Sequence, residues 1–320
     1  MSKRVLIVDA LNMYYRAYIV DPSLSANGQP IGGLKGFLKI LQKLCREIRP
    51  DHIFIAWDGG SNRRKIVNKE YKEGRKPIRL NRDIRNLSEN EELQNKIWQQ
   101  TRLIEFLNMM PITQSMIEGL EADDIIAVAC RSHLFDGWQK VIVSADKDFI
   151  QLCDQSTVLF RPVQKEVLNE KRILEQYSIH PNNFALARAI CGDKSDNLPG
   201  VGGVGLKTVS KRFPFFADEE SYDVSTVIDF CNGVEEKLKV HERIMENRDL
   251  IEKNYKMMQL YFPSISMQSK EKIKWAIANT EMSLNKTAIR AMMIQDGFGA
   301  FDWSSLFQTL QRIIVNKQGT

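Results

Sequence analysis

The chain has 320 residues, of which 43% are hydrophobic and 27% charged, and its formal net charge of +5 is mild. These values are ordinary for a globular protein of roughly two domains, and no apolar run approaches the roughly 18 residues that a membrane-spanning helix needs. The five cysteines are scattered without a C-x-x-C pair, which argues against a zinc site and favours free thiols in a reducing compartment.

The first two predicted strands each end in an acidic residue. Residues 4–8 form a short apolar run that ends at Asp9, and a helix over 10–20 follows. An amphipathic helix over 32–48 then leads to a second strand, His52–Trp57, which ends at Asp58. Taken alone, Asp9 is equally well explained as a helix N-cap. Acids at the carboxyl ends of neighbouring strands lie in the crevice where open α/β sheets bind ligands.

The segment that follows Asp58 is strongly basic. Residues 61–85 contain ten Lys and Arg residues against three Asp and Glu, a local excess of seven charges that exceeds the +5 of the whole chain. Such a stripe on a nearly neutral protein is typical of a surface that binds a polyanion. The alternative is a solvated, charged helix face.

A further group of acids crowds the start of a predicted helix. A long helix over 91–107 and a short strand from Pro111 precede Glu121, Asp123 and Asp124, and apolar residues continue the helix after them. Acids in a first turn suit the helix dipole, so capping is the structural alternative. On a regular helix Glu121 and Asp124 share a face and Asp123 lies across from Glu121. All three therefore converge only if Glu121 precedes the regular turns.

The third clear strand repeats the pattern of the first two. Residues 140–144 run into Asp146 and Asp148, so acids again follow the carboxyl end of a strand. Asp148 alone is also explained as the cap of a turn over 149–152. Capping as the whole explanation requires an independent coincidence at every acidic group, so we favour a shared site.

The rest of the chain indicates two short extended segments followed by helices. Residues 157–163 predict a strand, Val167 belongs to a further short segment, and from Lys171 the pattern is helical. We expect single helices over 234–252 and 284–296. No motif in these later helices points to a particular chemistry.

One glycine-rich stretch interrupts the helical half. Asp193 and Asp196 are three residues apart, a spacing that lets both carboxylates point the same way from a helical turn. Four glycines follow within six residues, just before the start of a new helix. Glycine permits close approach of a large partner, and free N–H groups at a helix start favour phosphate, although a flexible solvated loop is the alternative. The candidate clamp residues are Gly200, Gly202, Gly203, Gly205, Lys207 and Thr208.

Together the acids predict a divalent metal site. Nine carboxylates cannot all ionise side by side unaided, because each raises the pKa of its neighbours. Divalent cations resolve this repulsion, and oxygen ligands without His or Cys select Mg²⁺, with Mn²⁺ as a substitute. Such a site usually holds two ions, which generate hydroxide and stabilise both oxygens of a phosphodiester displacement. The candidate ligands are Asp9, Asp58, Glu121, Asp123, Asp124, Asp146, Asp148, Asp193 and Asp196.

The order and spacing of these motifs resemble the 5′-nuclease family, which includes flap endonucleases, the 5′-exonuclease domain of bacterial DNA polymerase I and the RNase H of T-even bacteriophages. The matching motifs are Trp-Asp-Gly at 57–59, Gly-Leu-Glu-Ala-Asp-Asp at 119–124, Ser-Ala-Asp-Lys-Asp-Phe at 144–149 and the glycine-rich stretch. The likeness covers about residues 4–215. It implies a three-layer, PIN-like α/β fold with a mainly parallel sheet, a helical arch and a helix–two-turn–helix region.

The resemblance also implies roles for the basic segment. Residues 60–88 are similar to a helical arch that admits a free 5′ single strand. In that arch Arg64 and Lys72 are expected to steer the scissile phosphate as catalytic residues, and Arg63 and Arg75 to contact DNA. The glycine-rich stretch is similar to an element that grips the duplex backbone, often around a K⁺ ion.

The resemblance divides the chain into a nuclease core over 1–180 and a helical region over 181–320 with a DNA-backbone clamp at 192–212 and a C-terminal tail. We expect a Mg²⁺-dependent 5′→3′ exonuclease and structure-specific flap endonuclease. Its substrates would be DNA with a 5′ single-stranded flap or end and RNA primers in RNA–DNA duplexes, during replication or repair. The tail resembles in placement the one through which phage members meet replication partners, such as a single-stranded DNA-binding protein. The expected location is the cytoplasm of a bacterial cell or a phage-infected host, with no membrane partner.

Two other functions compete with this interpretation. A PIN-type endoribonuclease shares a compact acidic α/β core, but such proteins are usually much shorter and lack both the basic arch and the glycine clamp. A non-catalytic DNA-binding relative is the other alternative. The full acid set speaks against it, because a pure binder gains nothing from carboxylates that face phosphate.

Overall fold

A computed structural model describes residues 2–60, 71–73, 87–261, 263 and 265–318 of the chain, with side chains described up to residue 316. The chain divides into two compact units. The first draws on residues 1–59, 77–144 and 266–320, and the second on residues 60–76 and 145–265. Each unit is therefore assembled from separate stretches of sequence, and the single boundary predicted at residue 180 stays a prediction.

Six strands and thirteen α-helices lie in the described ranges. The strands are β1 (Arg4–Asp9), β2 (His52–Trp57), β3 (Thr113–Met116), β4 (Gln139–Val143), β5 (Thr157–Arg161) and β6 (Glu166–Leu168). The helices are α1 (Ala10–Val20), α2 (Gly32–Ile48), α3 (Glu89–Asn108), α4 (Ala122–Cys130), α5 (Glu170–Tyr177), α6 (Pro181–Cys191), α7 (Leu206–Arg212), α8 (Val224–Gly233), α9 (Lys239–Glu246), α10 (Arg248–Met258), α11 (Met267–Ala278), α12 (Lys286–Gln295) and α13 (Trp303–Gln318).

The first unit is built on four parallel strands in the order β3-β2-β1-β4. The register pairs Asp9 of β1 with Ala56 of β2, and Val8 of β1 with Val143 of β4. β1 and β2 are buried along almost their whole length, as continuous apolar runs in a parallel sheet require. The carboxyl ends of β1, β2 and β4 therefore lie at one edge, which brings the residues that follow each strand to that edge.

Helices cover the sheet of the first unit. α2 has a wide apolar face and packs against α1, α3 and α13. The contact between α2 and α3 includes a buried hydrogen bond, in which the N–H of Leu34 donates to Oε1 of Gln99 at 3.0 Å. α11 packs against α4 and β3, so the last helices of the chain belong to the body that holds the first strands.

The second unit is organised around α6, which packs against α10 and against the 3₁₀ turn Lys147–Leu152. Two buried amides fix this arrangement. Gln151 donates to the carbonyl of Met258 at 3.0 Å, and Asn254 donates to the carbonyls of Ala189 (3.0 Å) and Pro199 (2.8 Å). β5 and β6 form an antiparallel pair in the same unit. The start of the glycine-rich stretch is thus anchored to two helices.

Two predicted elements need correction. The predicted helix over 234–252 is wrong, because α8 ends at Gly233 and α9 and α10 are separate helices. Asn247 makes the second break: its backbone leaves the helical region (φ −106°, ψ 23°), and its side-chain amide donates to the carbonyl of Arg243 at 2.8 Å. The strand predicted over 157–163 ends at Arg161. The helices predicted over 10–20 and 32–48 are confirmed.

Two expectations from composition also have structural outcomes. In the part of the chain that the structure describes, no helix combines the length and apolar character needed to cross a bilayer. Four of the five cysteines are buried and Cys191 is half-buried, which suits small packing residues.

Candidate active site

Asp9 and Asp58 follow neighbouring strands of the first unit. Asp9 is only 7% exposed, and its carboxylate accepts from the N–H of Asn12 (3.1 Å) and from the hydroxyl of Ser144 (2.9 Å). Because Asp9 pairs with Ala56, Asp58 lies two residues further along the same sheet edge. The N-cap role of Asp9 is confirmed, but capping engages only one of its two oxygens.

The next acidic group is tied to Asp58. The N–H of Ala122 donates to Oδ1 of Asp58 at 3.0 Å. Glu121 has an extended backbone (φ −83°, ψ 158°) immediately before α4 and is 7% exposed. Glu121 therefore precedes the regular turns, which is the condition under which it can converge with Asp123 and Asp124 in the first turn of α4. The first unit thus holds five of the nine candidate ligands.

In the second unit, Asp146 and Asp148 open the 3₁₀ turn Lys147–Leu152. Asp146 is the N-cap of this turn and accepts from the N–H of Asp148 at 2.8 Å. The alternative that Asp148 is the cap is therefore wrong. The Asp148 carboxylate instead accepts from Nε of Arg188 at 3.1 Å.

Arg188, in α6, joins two candidate ligands. Its Nε contacts Asp148, and its Nη2 contacts Oδ2 of Asp193. The three side chains are only 15–16% exposed. Oδ1 of Asp193 also accepts from the N–H and hydroxyl of Ser195, at 2.7 and 2.6 Å. We name Asp148, Arg188 and Asp193 the arginine-bridged cluster.

Burial and charge make the two carboxyls of this cluster unequal. Burial, followed by the charge of Asp146, raises the pKa of Asp148 to about 7. Burial acts in the same direction on Asp193, but hydrogen bonds from Ser195 and the charge of Arg188 outweigh it and lower its pKa. Burial disfavours the Arg188 cation, yet the two carboxylates outweigh it and raise the Arg188 pKa. Further positive charge nearby would therefore favour the ionised form of Asp148.

Asp196 lies beside two residues of the basic segment. The hydroxyl of Tyr71 donates to Oδ2 of Asp196 at 3.1 Å, and the N–H of Lys72 donates to the Asp196 carbonyl at 3.0 Å. Tyr71 is 3% exposed, and Nζ of Lys72 lies 4.9 Å from its ring centroid. Lys72 also has a left-handed backbone (φ +57°). The structure thus places the predicted catalytic lysine next to a predicted ligand. Arg63, Arg64 and Arg75 lie outside the described residues.

The glycine-rich stretch contains glycines of two kinds. A Cβ on Gly200 would lie 2.0 Å from the carbonyl oxygen of Cys191, so glycine here allows the chain to pack on the end of α6. Gly203 has a positive φ of 76°. In contrast, Gly202 and Gly205 would place a Cβ in open space, with no heavy atom within 4 Å. A partner therefore has room to approach the backbone of Gly202 and Gly205.

The start of α7 follows this stretch. Gly205 is the N-cap residue of the helix, Lys207 is exposed and Thr208 is half-buried. On the side of α9, Arg243 donates to the carbonyl of Gly202 at 3.1 Å. The stretch is therefore held from within the second unit and keeps an exposed lysine at its end.

The donor set fits divalent cations. All nine candidate ligands are carboxylates, with neither His nor Cys among them, and oxygen donors of this kind suit Mg²⁺ and Mn²⁺. The guanidinium of Arg188 bridges Asp148 and Asp193. Within the described ranges, no three such groups are gathered closely enough to hold an ion in this conformation.

Three residues of the site were given no role from the sequence: Arg188, Tyr71 and Ser144, although Tyr71 and Ser144 lie within segments that carry the family resemblance. Arg188 was detectable in principle, because it is the one charge within the apolar run Ala185–Cys191 and stands five residues before Asp193. The hydrogen bonds of Tyr71 to Asp196 and of Ser144 to Asp9 join positions 125 and 135 residues apart, and no local pattern predicts them.

The part of the chain that carries the acidic strand ends is similar to a known protein family. Residues 4–178 match the family model described as "5′-3′ exonuclease, N-terminal resolvase-like domain". The chain belongs to the 5′-3′ exonuclease family. The predicted family, the nuclease class of the enzyme and the resolvase-like α/β fold with a mainly parallel sheet are thereby confirmed.

Curated relatives of this exonuclease cover most of the chain. This chain is 29% identical over 295 residues to the 5′-3′ exonuclease of Buchnera aphidicola subsp. Schizaphis graminum, and the alignment covers 91% of this chain and 94% of the relative. It is 32% identical over 246 residues to DNA polymerase I of Bacillus subtilis, covering 75% of this chain. The chain spans only 26% of the length of that polymerase. The likeness thus extends beyond residue 178, into the glycine-rich stretch and the helices after it.

Solved structures share the fold of the exonuclease. The T5 5′-exonuclease with bound divalent metal ions (zinc) superposes with a TM-score of 0.66 at 21% identity, covering 87% of this chain and 99% of that one. The bacteriophage T5 flap endonuclease in a pseudo-enzyme–product complex with DNA and metal ions gives 0.62 at 18% identity, covering 92% and 98%. At these identities the likeness establishes the fold.

Proposed function

We propose that this member of the family is a Mg²⁺-dependent 5′→3′ exonuclease and structure-specific 5′ flap endonuclease. Its substrates are DNA with a single-stranded 5′ flap or end and RNA primers in RNA–DNA duplexes, in replication or repair in the cytoplasm of a bacterial cell or phage-infected host. The observation that carries the proposal is the all-carboxylate donor set that follows β1, β2 and β4 in a chain of the exonuclease family.

The proposed ion ligands are the nine carboxylates named from the sequence. When bound, a pair of Mg²⁺ ions supplies hydroxide at neutral pH and stabilises the attacking and leaving oxygens of the phosphodiester. The protein's part is to hold the oxygen donors. Ser144 and Asn12 orient Asp9, the N–H of Ala122 orients Asp58, and Arg188 orients the pair in the arginine-bridged cluster.

Lys72 and Arg64 are proposed to act on the scissile phosphate. The backbone of Lys72 is anchored to Asp196, and its ammonium group lies over the ring of Tyr71, whose hydroxyl donates to the Asp196 carboxylate. This supports a role for the ammonium in stabilising negative charge that develops near a proposed ligand. We assign Arg64 the same role from the family resemblance, and Arg63 and Arg75 to DNA contact.

The glycine-rich stretch is proposed to hold the duplex backbone, with K⁺ as a candidate ion. The open faces of Gly202 and Gly205 and the exposed Lys207 support this assignment, since phosphate can approach bare N–H groups and an ammonium there. Gly200 and Gly203 support the loop itself through packing and backbone conformation.

The C-terminal helices are proposed to meet a replication partner, such as a single-stranded DNA-binding protein. Between α12 and α13 lies a cavity of about 540 Å³. Its lining includes Lys286, Arg290 and Arg312 around Phe307 and Val315, a combination that suits an acidic segment with apolar side chains.

The proposed function is tested with one set of oligonucleotides: a duplex with a 5′ flap, the matched duplex with a 3′ flap, and an RNA-primed duplex. Each is labelled at either end in turn and incubated with Mg²⁺ or with EDTA. Metal-dependent cuts at the 5′ flap junction, and removal of the RNA from its 5′ end, are expected. Cutting of free single-stranded RNA alone would indicate the PIN-type endoribonuclease. Binding of the flap without any cut would indicate the non-catalytic relative.

A further inference from the structure

The guanidinium of Arg188 occupies an unusual position for a charge. Arg188 stands on α6 between Ala187 and Ala189 in the sequence, and both alanines are fully buried. Only 15% of the Arg188 side chain is exposed. A charge placed there loses much of its hydration, so it persists only where partners replace that hydration. Its partners in the described structure are Asp148 and Asp193, two proposed ion ligands.

We propose that Arg188 is a positioning residue that holds Asp148 and Asp193 as a preformed pair of oxygen ligands for a divalent cation. The inference rests on the proposed function, because it takes both carboxylates to be ion ligands. It assigns to Arg188 a role in the affinity for the ion, and no contact with DNA.

The geometry of the contacts supports a fixed pair. Arg188 uses different nitrogens for the two carboxylates, Nε for Oδ1 of Asp148 and Nη2 for Oδ2 of Asp193. A planar guanidinium therefore sets the separation and the relative orientation of the two groups, which a lysine ammonium on a flexible stem does not. Each carboxylate oxygen has two lone-pair sites, so both groups keep the capacity to bind an ion.

The rest of the cluster is fixed in the same way. Ser195 donates twice to Oδ1 of Asp193, and the N–H of Asp148 is bonded to Asp146. The backbone around Asp148 and Asp193 is thus restrained. The guanidinium of Arg188 then links the carboxylate of the 3₁₀ turn to the carboxylate at the start of the glycine-rich stretch. Hydrogen-bond partners of this kind typically change ion affinity by about 10- to 100-fold when they are removed.

A simple counter-ion makes the opposite prediction. If Arg188 only neutralised the carboxylates, its removal would leave a more negative site, and the affinity for a divalent cation would rise. A lysine at this position would then behave like arginine, because it keeps the charge. A positioning role requires the bridge between the two carboxylates as well as the charge. A lysine at position 188 is therefore expected to weaken binding of the ion.

The experiment measures binding of Mn²⁺ alone, without DNA, by isothermal titration calorimetry. The full chain is compared as wild type, R188K, R188Q and R248Q. Arg248 is the matched control, since it is an exposed arginine of the same unit that pairs with Glu252 on α10. Thermal melting in EDTA is recorded for every variant, and R188K keeps the inference testable where R188Q fails to fold.

We expect Mn²⁺ binding to weaken by about 10- to 100-fold in both R188K and R188Q and to remain unchanged in R248Q. Unchanged or tighter binding in R188Q, or wild-type affinity in R188K, would overturn the positioning role while leaving the proposed function intact. Absence of Mn²⁺ binding by the wild type would overturn the proposed function and the inference with it.

Discussion

The charge of Asp148 is expected to destabilise the metal-free enzyme, so Asp148→Asn should stabilise it. Burial and the charge of Asp146 raise the pKa of Asp148 from its ordinary 3.8 to about 7. Only 16% of the side chain is exposed, so screening by solvent is limited. At 1.36 kcal/mol per pKa unit, ionising this carboxyl in the folded protein costs at most about 4 kcal/mol. Asparagine removes that cost and still accepts from Arg188.

The sign of the pH dependence follows from the raised pKa. A group with a raised folded-state pKa contributes its full stability below its unfolded pKa and loses it as the pH rises through the folded pKa. The advantage of Asp148→Asn is therefore small at pH 4, about 2 kcal/mol at pH 5 and about 4 kcal/mol at pH 8. Asp193 has a lowered pKa and adds no slope in this window, because it stays ionised in both states above pH 5.

The assay is urea unfolding of wild type and Asp148→Asn in EDTA between pH 5 and pH 8, repeated in Mg²⁺. In Mg²⁺ the advantage of the variant is expected to shrink, because an ion at 100 times its Kd adds about 2.7 kcal/mol to the wild type, whereas the variant lacks one proposed ligand. Equal or lower stability of the variant at pH 8 in EDTA would refute the reasoning, and so would an advantage that does not grow with pH.

Four further substitutions test other parts of the site. Lys72→Ala is expected to slow single-turnover cleavage by about 10²-fold with little change in DNA affinity; a loss confined to salt-dependent affinity would mean that Lys72 only attracts DNA. Tyr71→Phe removes the hydrogen bond to Asp196 and is expected to cost about 1–2 kcal/mol in urea unfolding, and an unchanged midpoint would contradict this. Gly200→Ala is expected to cost at least about 2 kcal/mol in the same assay, whereas Gly202→Ala should leave stability unchanged and weaken DNA binding. Equal stability of the two glycine variants would argue against the distinction.

The parts of the fold that follow from local pattern were predictable. β1 and β2 are continuous apolar runs, and each is followed by an acid and then by a turn or a helix, so the strand ends and their acids could be located from the sequence. The sequence did not decide whether Glu121 belongs to the regular turns of the helix or precedes them. The structure places it before α4 with an extended backbone.

The parts that depend on long-range contacts were not predictable. Arg188 bridges Asp148 and Asp193 because α6 packs against the 3₁₀ turn, a packing that no periodicity encodes. At Asn247 the backbone leaves the helical region and the side chain bonds the carbonyl of Arg243, although the apolar pattern continues across this residue. The grouping of α11 to α13 with the first strands is likewise a result of tertiary packing.

The most direct test of metal-dependent 5′ nuclease activity is single-turnover cleavage of a 5′ flap in Mg²⁺ by wild type and Asp146→Asn, with DNA affinity measured in parallel. Asparagine keeps an oxygen that can accept from the N–H of Asp148, so the 3₁₀ turn is expected to remain capped. We predict that the wild type cuts at the flap junction only with Mg²⁺. In the variant the rate should fall by about 10³-fold, corresponding to about 4 kcal/mol of lost transition-state stabilisation, while the DNA affinity is retained. Cleavage by the wild type in EDTA, or an undiminished rate in Asp146→Asn, would contradict the assignment of these carboxylates as ligands of a catalytic metal.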